Sequence, residues 1–191
     1  VNAQSPDPVA QSTYQVRFDW GGRGAARVTE GVDIVVWVDV LPDAASSRSP
    51  AEVIGLAPEP AAVLQAGLVD ATATARWILA EQERLGRRAF LAIVAAGDAE
   101  AGFTADDLLG AGAVIDALAA LGIDDTSPEA AVAASAFGGL RRAVRHLTSA
   151  STAGRAAAAS GLSVDAVHMA AALDASDAAR VLRGGAEASS D

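Results

Sequence analysis

The sequence predicts an α/β domain, a three-layer α/β/α arrangement around a central, largely parallel or mixed sheet. Three observations carry that expectation. Ile34-Val35-Val36-Trp37-Val38 and Leu91-Ala92-Ile93-Val94-Ala95 are continuously apolar, as strands covered on both faces should be. These runs alternate with stretches of helical patterning, the order of an α/β fold. The composition, 51% hydrophobic and 20% charged over 191 residues, is that of one globular domain large enough to hold a core without covalent staples.

Residues 1–12, rich in Asn, Gln, Ser and Pro, are expected to form a flexible tail, residues 13–183 the domain, and residues 184–191 a second tail. Within the domain, Tyr14 to Trp20 alternates apolar and polar residues and predicts a strand with one wet face. Gly21-Gly22-Arg23-Gly24 then reads as a turn or loop. The strand from Ile34 ends at Pro42, and the Pro/Ser/Ala-rich stretch up to Pro60 predicts loop with at most a short helix. Val63 to Val69 suits a third strand, followed by a helix from Ala71 to Leu85 with Gly86 as its stop signal. Phe90 to Ala96 is a fourth strand and Thr104 to Leu121 the next helix. Ser127-Pro128-Glu129 combines a hydroxyl cap, a proline at the first helical position and a first-turn acid. The helix it opens should run toward Ser149, weakened at Gly138-Gly139. Ser163 caps a last helix over Val164 to Leu173, and Val181-Leu182 suits a short strand.

Composition excludes several chemistries. Cysteine is absent, so disulfides, thiolate metal sites and a cysteine nucleophile are ruled out. Every basic side chain is arginine, which removes Schiff-base lysines and the lysine of a phosphate-binding loop. A formal charge of −10 opposes general binding to the phosphate backbone of nucleic acids. No apolar run reaches membrane-spanning length and the polar N-terminus has no signal-peptide core, so a cytoplasmic protein without membrane attachment is expected.

Chemistry concentrates in carboxylates. Asp39 ends a buried strand, the edge at which open α/β sheets bind ligands; a strand-end acid can equally cap a following turn. Asp98 ends the strand at 90–96, and Asp106 and Asp107 open the next helix, with Glu100 nearby. Oxygen ligands of this kind suit a hard cation such as magnesium. The competing reading is local: Thr104 with Asp107 three residues on resembles a capping box, and first-turn acids favour the helix dipole. Capping does not account for Asp98. Gly110-Ala111-Gly112-Ala113 lacks both the final glycine and the preceding strand of a dinucleotide fingerprint, so close helix–sheet packing is the better account of it. Gly154-Arg155 can bind an anion through the guanidinium. His146 and His168 have no metal-ligand spacing.

In order, Val35-Val36-Trp37-Val38-Asp39-Val40-Leu41, Ala66 through Trp77, Ala95-Ala96-Gly97-Asp98, Asp106 through Ala113, Ser127 through Ala130, Gly154-Arg155 and the stretch from Gly161 through Asp165 to Asp174 resemble the 2-phosphosulfolactate phosphatase (ComB-like) family. The resemblance covers most of the chain from Arg17 onward. It implies magnesium-dependent hydrolysis of a small anionic phosphate monoester, with Asp39 and Asp98 as catalytic residues. It further implies Asp39, Asp98, Asp106 and Asp107 as metal ligands, Asp70, Gly154 and Arg155 as substrate contacts, and a homo-oligomer. The chain departs from the family pattern where Asp70 replaces Asn, where Asp98 and Asp106 replace Glu, and where a short segment at 48–62 replaces an Asn-Gly-Thr/Ser loop. These departures motivate an alternative expectation, a non-catalytic relative that binds a small anion or a protein partner.

Overall fold

The computed structural model describes residues 7–41, 48–98 and 102–185. The expectations placed on residues 1–6, 42–47 and 186–191 and on Glu100 lie outside the described residues; of the expected loop between Pro42 and Pro60, the described part carries the one short helix allowed for it, Pro50–Ile54. The domain is the expected α/β sandwich. Strands β1 (Val16–Trp20), β2 (Ile34–Val38), β3 (Ala62–Ala66), β4 (Leu91–Ala95) and β5 (Arg180–Arg183) form one sheet in the order β1-β4-β2-β3-β5. The first four in chain order run parallel, and β5 closes the edge antiparallel to β3. The two apolar runs are neighbours, with Val38 opposite Ala95 at their carboxyl ends, and every residue of both is buried.

Side-chain alternation divides the core in two. Val35, Trp37, Val63, Ala92 and Val94 pack with Ala25 and Val28 of α1 (Gly21–Val28) and Val53 of α2 (Pro50–Ile54) on one face. Ile34, Val36, Val38, Leu91 and Ile93 pack against α3 (Ala71–Leu85) and α4 (Ala105–Ala120) on the other. The chain thus moves one way across the sheet from β1 through β2 to β3 with its helices on the first face. It returns from β3 to β4 with α3 on the second, as right-handed crossovers require. Helix α5 (Pro128–Leu140) lies against α4, followed by α6 (Val144–Ala150), α7 (Thr152–Ala159) and α8 (Val164–Ala170).

Several elements differ from expectation for identifiable reasons. Gly21 adopts φ +58° and turns the chain directly from β1 into α1, so the glycine cluster is helix and not loop. The polar face of β1 is covered at Arg17 and only partly exposed at Asp19: Arg17 is buried and donates to the carbonyls of Val28 (3.1 Å) and Glu30 (2.8 Å), satisfying acceptors at and beyond the end of α1. Part of the expected tail is ordered. Pro8–Ala10 form a 3-10 turn, and the Gln11 amide both donates to and accepts from the backbone of Phe18. The long helix opened by Ser127 ends at Leu140, directly after Gly138-Gly139, and a 3-10 turn at Arg141–Ala143 redirects it into α6.

Helix α4 is apolar nearly all round because it is enclosed, between the sheet below and α5 beside it. Its two glycines make that possible. A β-carbon on Gly110 would lie 2.6 Å from Val40 Cγ2 and 2.9 Å from Val38 Cγ1, and one on Gly112 would lie 2.7 Å from Phe137 Cβ. Gly138, by contrast, faces open space. Gly110→Ala is therefore expected to lower stability by about 1–3 kcal/mol through overpacking, whereas Gly138→Ala should raise it by up to about 1 kcal/mol. Chemical denaturation of both variants measures the difference; equal effects would contradict the packing account.

Candidate active site

The crossover pattern creates one place, among the parallel strands described, where the connections of two neighbours lead away from each other. Beyond β2 the chain proceeds toward β3. Beyond β4 it passes through α4 to the far edge, where Thr126 bridges Val16 of β1. The crevice at the carboxyl ends of β2 and β4 is the topological switch point, where α/β sheets place their ligand sites. Asp39 and Asp98 stand on its two sides.

A cavity of about 180 Å³ occupies this crevice, lined by Asp39, Leu41, Asp98, Phe103, Asp106 and Asp107, together with Thr104 and the first turn of α7. The four acids expected at one site all line this cavity, but among the described residues no three of them are grouped tightly enough to hold a metal ion. Gly97, with φ +66°, bends the chain back beyond β4, and the Asp98 carbonyl accepts from the Gly102 amide at 2.9 Å. Asp39 continues the pairing of β2, its amide donating to the Ala66 carbonyl at 3.1 Å.

The acids differ sharply in environment. Asp107, 4% exposed, accepts from the Val40 amide (2.8 Å) with Oδ1 and from the Gly97 amide (2.9 Å) and the Thr104 hydroxyl (2.9 Å) with Oδ2. Three of roughly four acceptor positions on its carboxylate are thereby used. It fastens the ends of β2 and β4 to the start of α4, which leaves little capacity for a metal ion. Thr104 is the N-cap of α4, as expected, but its hydroxyl serves Asp107 in place of a backbone amide.

Asp106 is 1% exposed, and its Oδ1 has no hydrogen-bond partner among the described residues. Burial, then the negative charge of Asp107 and then that of Asp39, push its carboxyl up from 3.8 to about 7. An orphaned, nearly fully buried carboxylate oxygen beside two further acids is a group that gains from a cation or a donated proton. Burial also pushes Asp107 up, against the pull of its three donors.

Helix α7 supplies the opposite wall. Ser151 caps it by accepting from the Gly154 amide at 2.9 Å, and the Arg155 amide donates to the Ser151 carbonyl at 3.0 Å. Helical geometry leaves the amides of Thr152 and Ala153, both lining residues, outside the helix ladder at its positive end. Sequence reasoning did not assign these residues or Phe103. The Ser151 cap was the available signal for α7, masked by the surrounding Ser/Thr cluster.

The expected substrate contacts fall elsewhere. Asp70 precedes α3 and accepts from the Gly67 amide at 2.8 Å, a local loop clamp whose carboxyl is pushed up by burial. Gly154 is buried where α7 meets α6, and a β-carbon there would overlap the Thr148 carbonyl oxygen. Arg155 is exposed. None of the three lines the cavity. Among the described residues no helix is long and apolar enough to cross a membrane. The chain matches no protein-family model and no curated protein sequence.

Two measurements follow from the contrast between the adjacent acids. Asp107→Ala removes three hydrogen bonds and strands two amides at the strand ends, so it should cost on the order of 3 kcal/mol. Asp106 behaves differently with pH. Between 3.8 and about 7 the folded chain holds a proton that the unfolded chain has released, so raising the pH through that window weakens the fold. Asp106→Asn removes this titration. Its melting temperature relative to the parent should therefore rise between about pH 4 and pH 8, by the equivalent of on the order of 4 kcal/mol; a constant difference would contradict the assignment.

Proposed function

We propose that the protein is a magnesium-dependent hydrolase of a small anionic phosphate monoester, similar to the 2-phosphosulfolactate phosphatases. The observation that carries the reading is the orphaned, buried Oδ1 of Asp106 in a cavity shared with Asp39 and Asp98 at the sheet's switch point. Such a donor set fits a hard cation, which typically binds through one or two carboxylates and water. Among the described residues no three acids are grouped tightly enough to hold a metal ion together, so Asp106 and Asp39, whose charges interact, are the residues that would hold it, with water completing its shell; Asp107 supports them through the backbone. Bound there, magnesium supplies positive charge to the phosphoryl oxygens.

The chain's own groups do the rest. The start of α7 orients the phosphoryl group, because helix N-termini favour anions through free amides and the dipole. Leu41 and Phe103 limit water at the cavity wall. Asp98, exposed at the rim, accepts the proton of the attacking water, and Asp39 positions that water from the strand end opposite. The bond from phosphorus to the ester oxygen breaks as the new one to the water oxygen forms. The leaving oxygen takes up, through solvent, the equivalent of the proton that Asp98 accepted, so that the alcohol departs and the Asp98 carboxylate is restored.

A second reading, an anion-binding protein without turnover, is favoured by the position of Arg155 outside the cavity and by the engagement of Asp107 with backbone donors. Phosphate release from a panel of small phosphomonoesters, with and without magnesium, separates the two. The hydrolase reading predicts magnesium-dependent release that falls at least about 100-fold in Asp39→Asn, the scale seen when one charge-stabilising group is lost. No release, or release unchanged in Asp39→Asn, would overturn it. Magnesium or phosphate binding without turnover would support the second reading.

A further inference from the structure

Phe103 belongs to the acid cavity and also to a much larger groove of about 720 Å³, bounded by Phe18, Trp20, Leu108, Val132 and Ala133 among others. We propose that this groove receives an uncharged, aryl-sized body of the phosphoester whose phosphoryl group occupies the acid cavity. The inference rests on the hydrolase reading of that cavity and names the substrate class that reading leaves open.

Size is the first argument. A cavity of roughly 150 Å³ accommodates a benzene ring, so the 180 Å³ acid cavity has room for a phosphoryl group and little more. The adjoining groove falls within the roughly 300–1,000 Å³ range of small-molecule sites. A substrate with a sizeable organic group would leave its phosphoryl end at Asp106 and pass Phe103 into the groove.

Surface chemistry is the second. Phe103 is 55% exposed and Val132 66% exposed, and both face the same concavity. Trp20 lies 5.3 Å from Phe103 and 5.5 Å from Phe18, ring centroid to centroid. This chain of aromatic faces and edges is built to receive a further ring at similar spacing. Exposed apolar side chains gathered in one concavity mark a binding surface more often than isolated ones do.

Charge decides what kind of body fits. The groove carries Asp19 and Glu129, and its arginine, Arg27, is held by Asp19 at 2.7 Å. A second anionic group on the substrate would meet two acids and an already neutralised cation. An apolar group meets no such penalty. The occupant is thus an uncharged ring system and not the additional acid group of a small dianionic substrate. The concave shape and the wall shared with the acid cavity also favour a small ligand over a flat protein partner, which needs about 800 Å² of its own surface buried.

The test uses ligands that cannot turn over. Calorimetry with magnesium present compares naphthylmethylphosphonate with methylphosphonate, whose carbon–phosphorus bonds resist hydrolysis. The naphthyl compound should bind at least about 10-fold more tightly, equivalent to about 1.4 kcal/mol. Phe103→Ala and Val132→Gln should each reduce that preference, and Val132→Gln, which lies outside the acid cavity, should leave methylphosphonate affinity unchanged. Equal affinities, absence of binding by both compounds, or a preference that survives both substitutions would overturn the inference. So would sedimentation showing a dimer that Val132→Gln dissociates while the preference persists, since the groove would then hold a second copy. Phosphate release judges the hydrolase reading separately: turnover without aryl preference overturns only the groove assignment, whereas aryl-dependent phosphonate binding without turnover supports the groove and removes the hydrolysis.

Discussion

The site depends on one buried carboxylate that does no chemistry. Asp107 joins the amide after β2, the amide after β4 and the hydroxyl that precedes α4. The two amides would otherwise be left at strand ends with no ladder partner, and an unsatisfied buried amide costs about 1–3 kcal/mol. One side chain therefore fixes the separation of the two strand ends that carry Asp39 and Asp98. It also anchors the first turn of α4, which forces the neighbouring Asp106 inward beneath the cavity.

That placement has an electrostatic consequence. Asp106 is buried beside the acid that secures the strands, so its own charge is opposed by desolvation and by repulsion together. Structural need and chemical potential are divided between adjacent residues: one carboxylate takes three donors, the other has no partner for Oδ1 among the described residues. The positive end of α7 across the cavity offsets part of the negative potential. Gly110 contributes by permitting α4 to lie close enough to Val38 and Val40 for Asp107 to reach the backbone.

Much of this architecture was legible in the residues. Unbroken apolar runs identified β2 and β4, Gly86 marked the end of α3 through a left-handed conformation, and Ser127-Pro128 marked the start of α5. The gathering of four acids was also legible, because strand ends and helix starts in an α/β sheet share one edge. The division of labour among them was not. Asp106 and Asp107 are adjacent and identical in type, and only the direction of the helix's first turn decides which meets the backbone. Arg17 was equally opaque: alternation places it on one face of β1, but the carbonyls of Val28 and Glu30 that cover it come from a later turn. The wall formed by α7 depends on packing between distant helices, which local patterning does not encode.

Cation binding with its linked proton release addresses the central claim, that Asp106 is the buried ligand of this cavity, most directly. Calorimetric titration with magnesium in buffers of different ionisation enthalpy reads both at once. The account predicts binding accompanied by proton release near pH 6, where Asp106 is largely protonated, and release that fades by about pH 8.5 as the carboxyl ionises. Binding without proton release at the lower pH, or no binding at either, would contradict it.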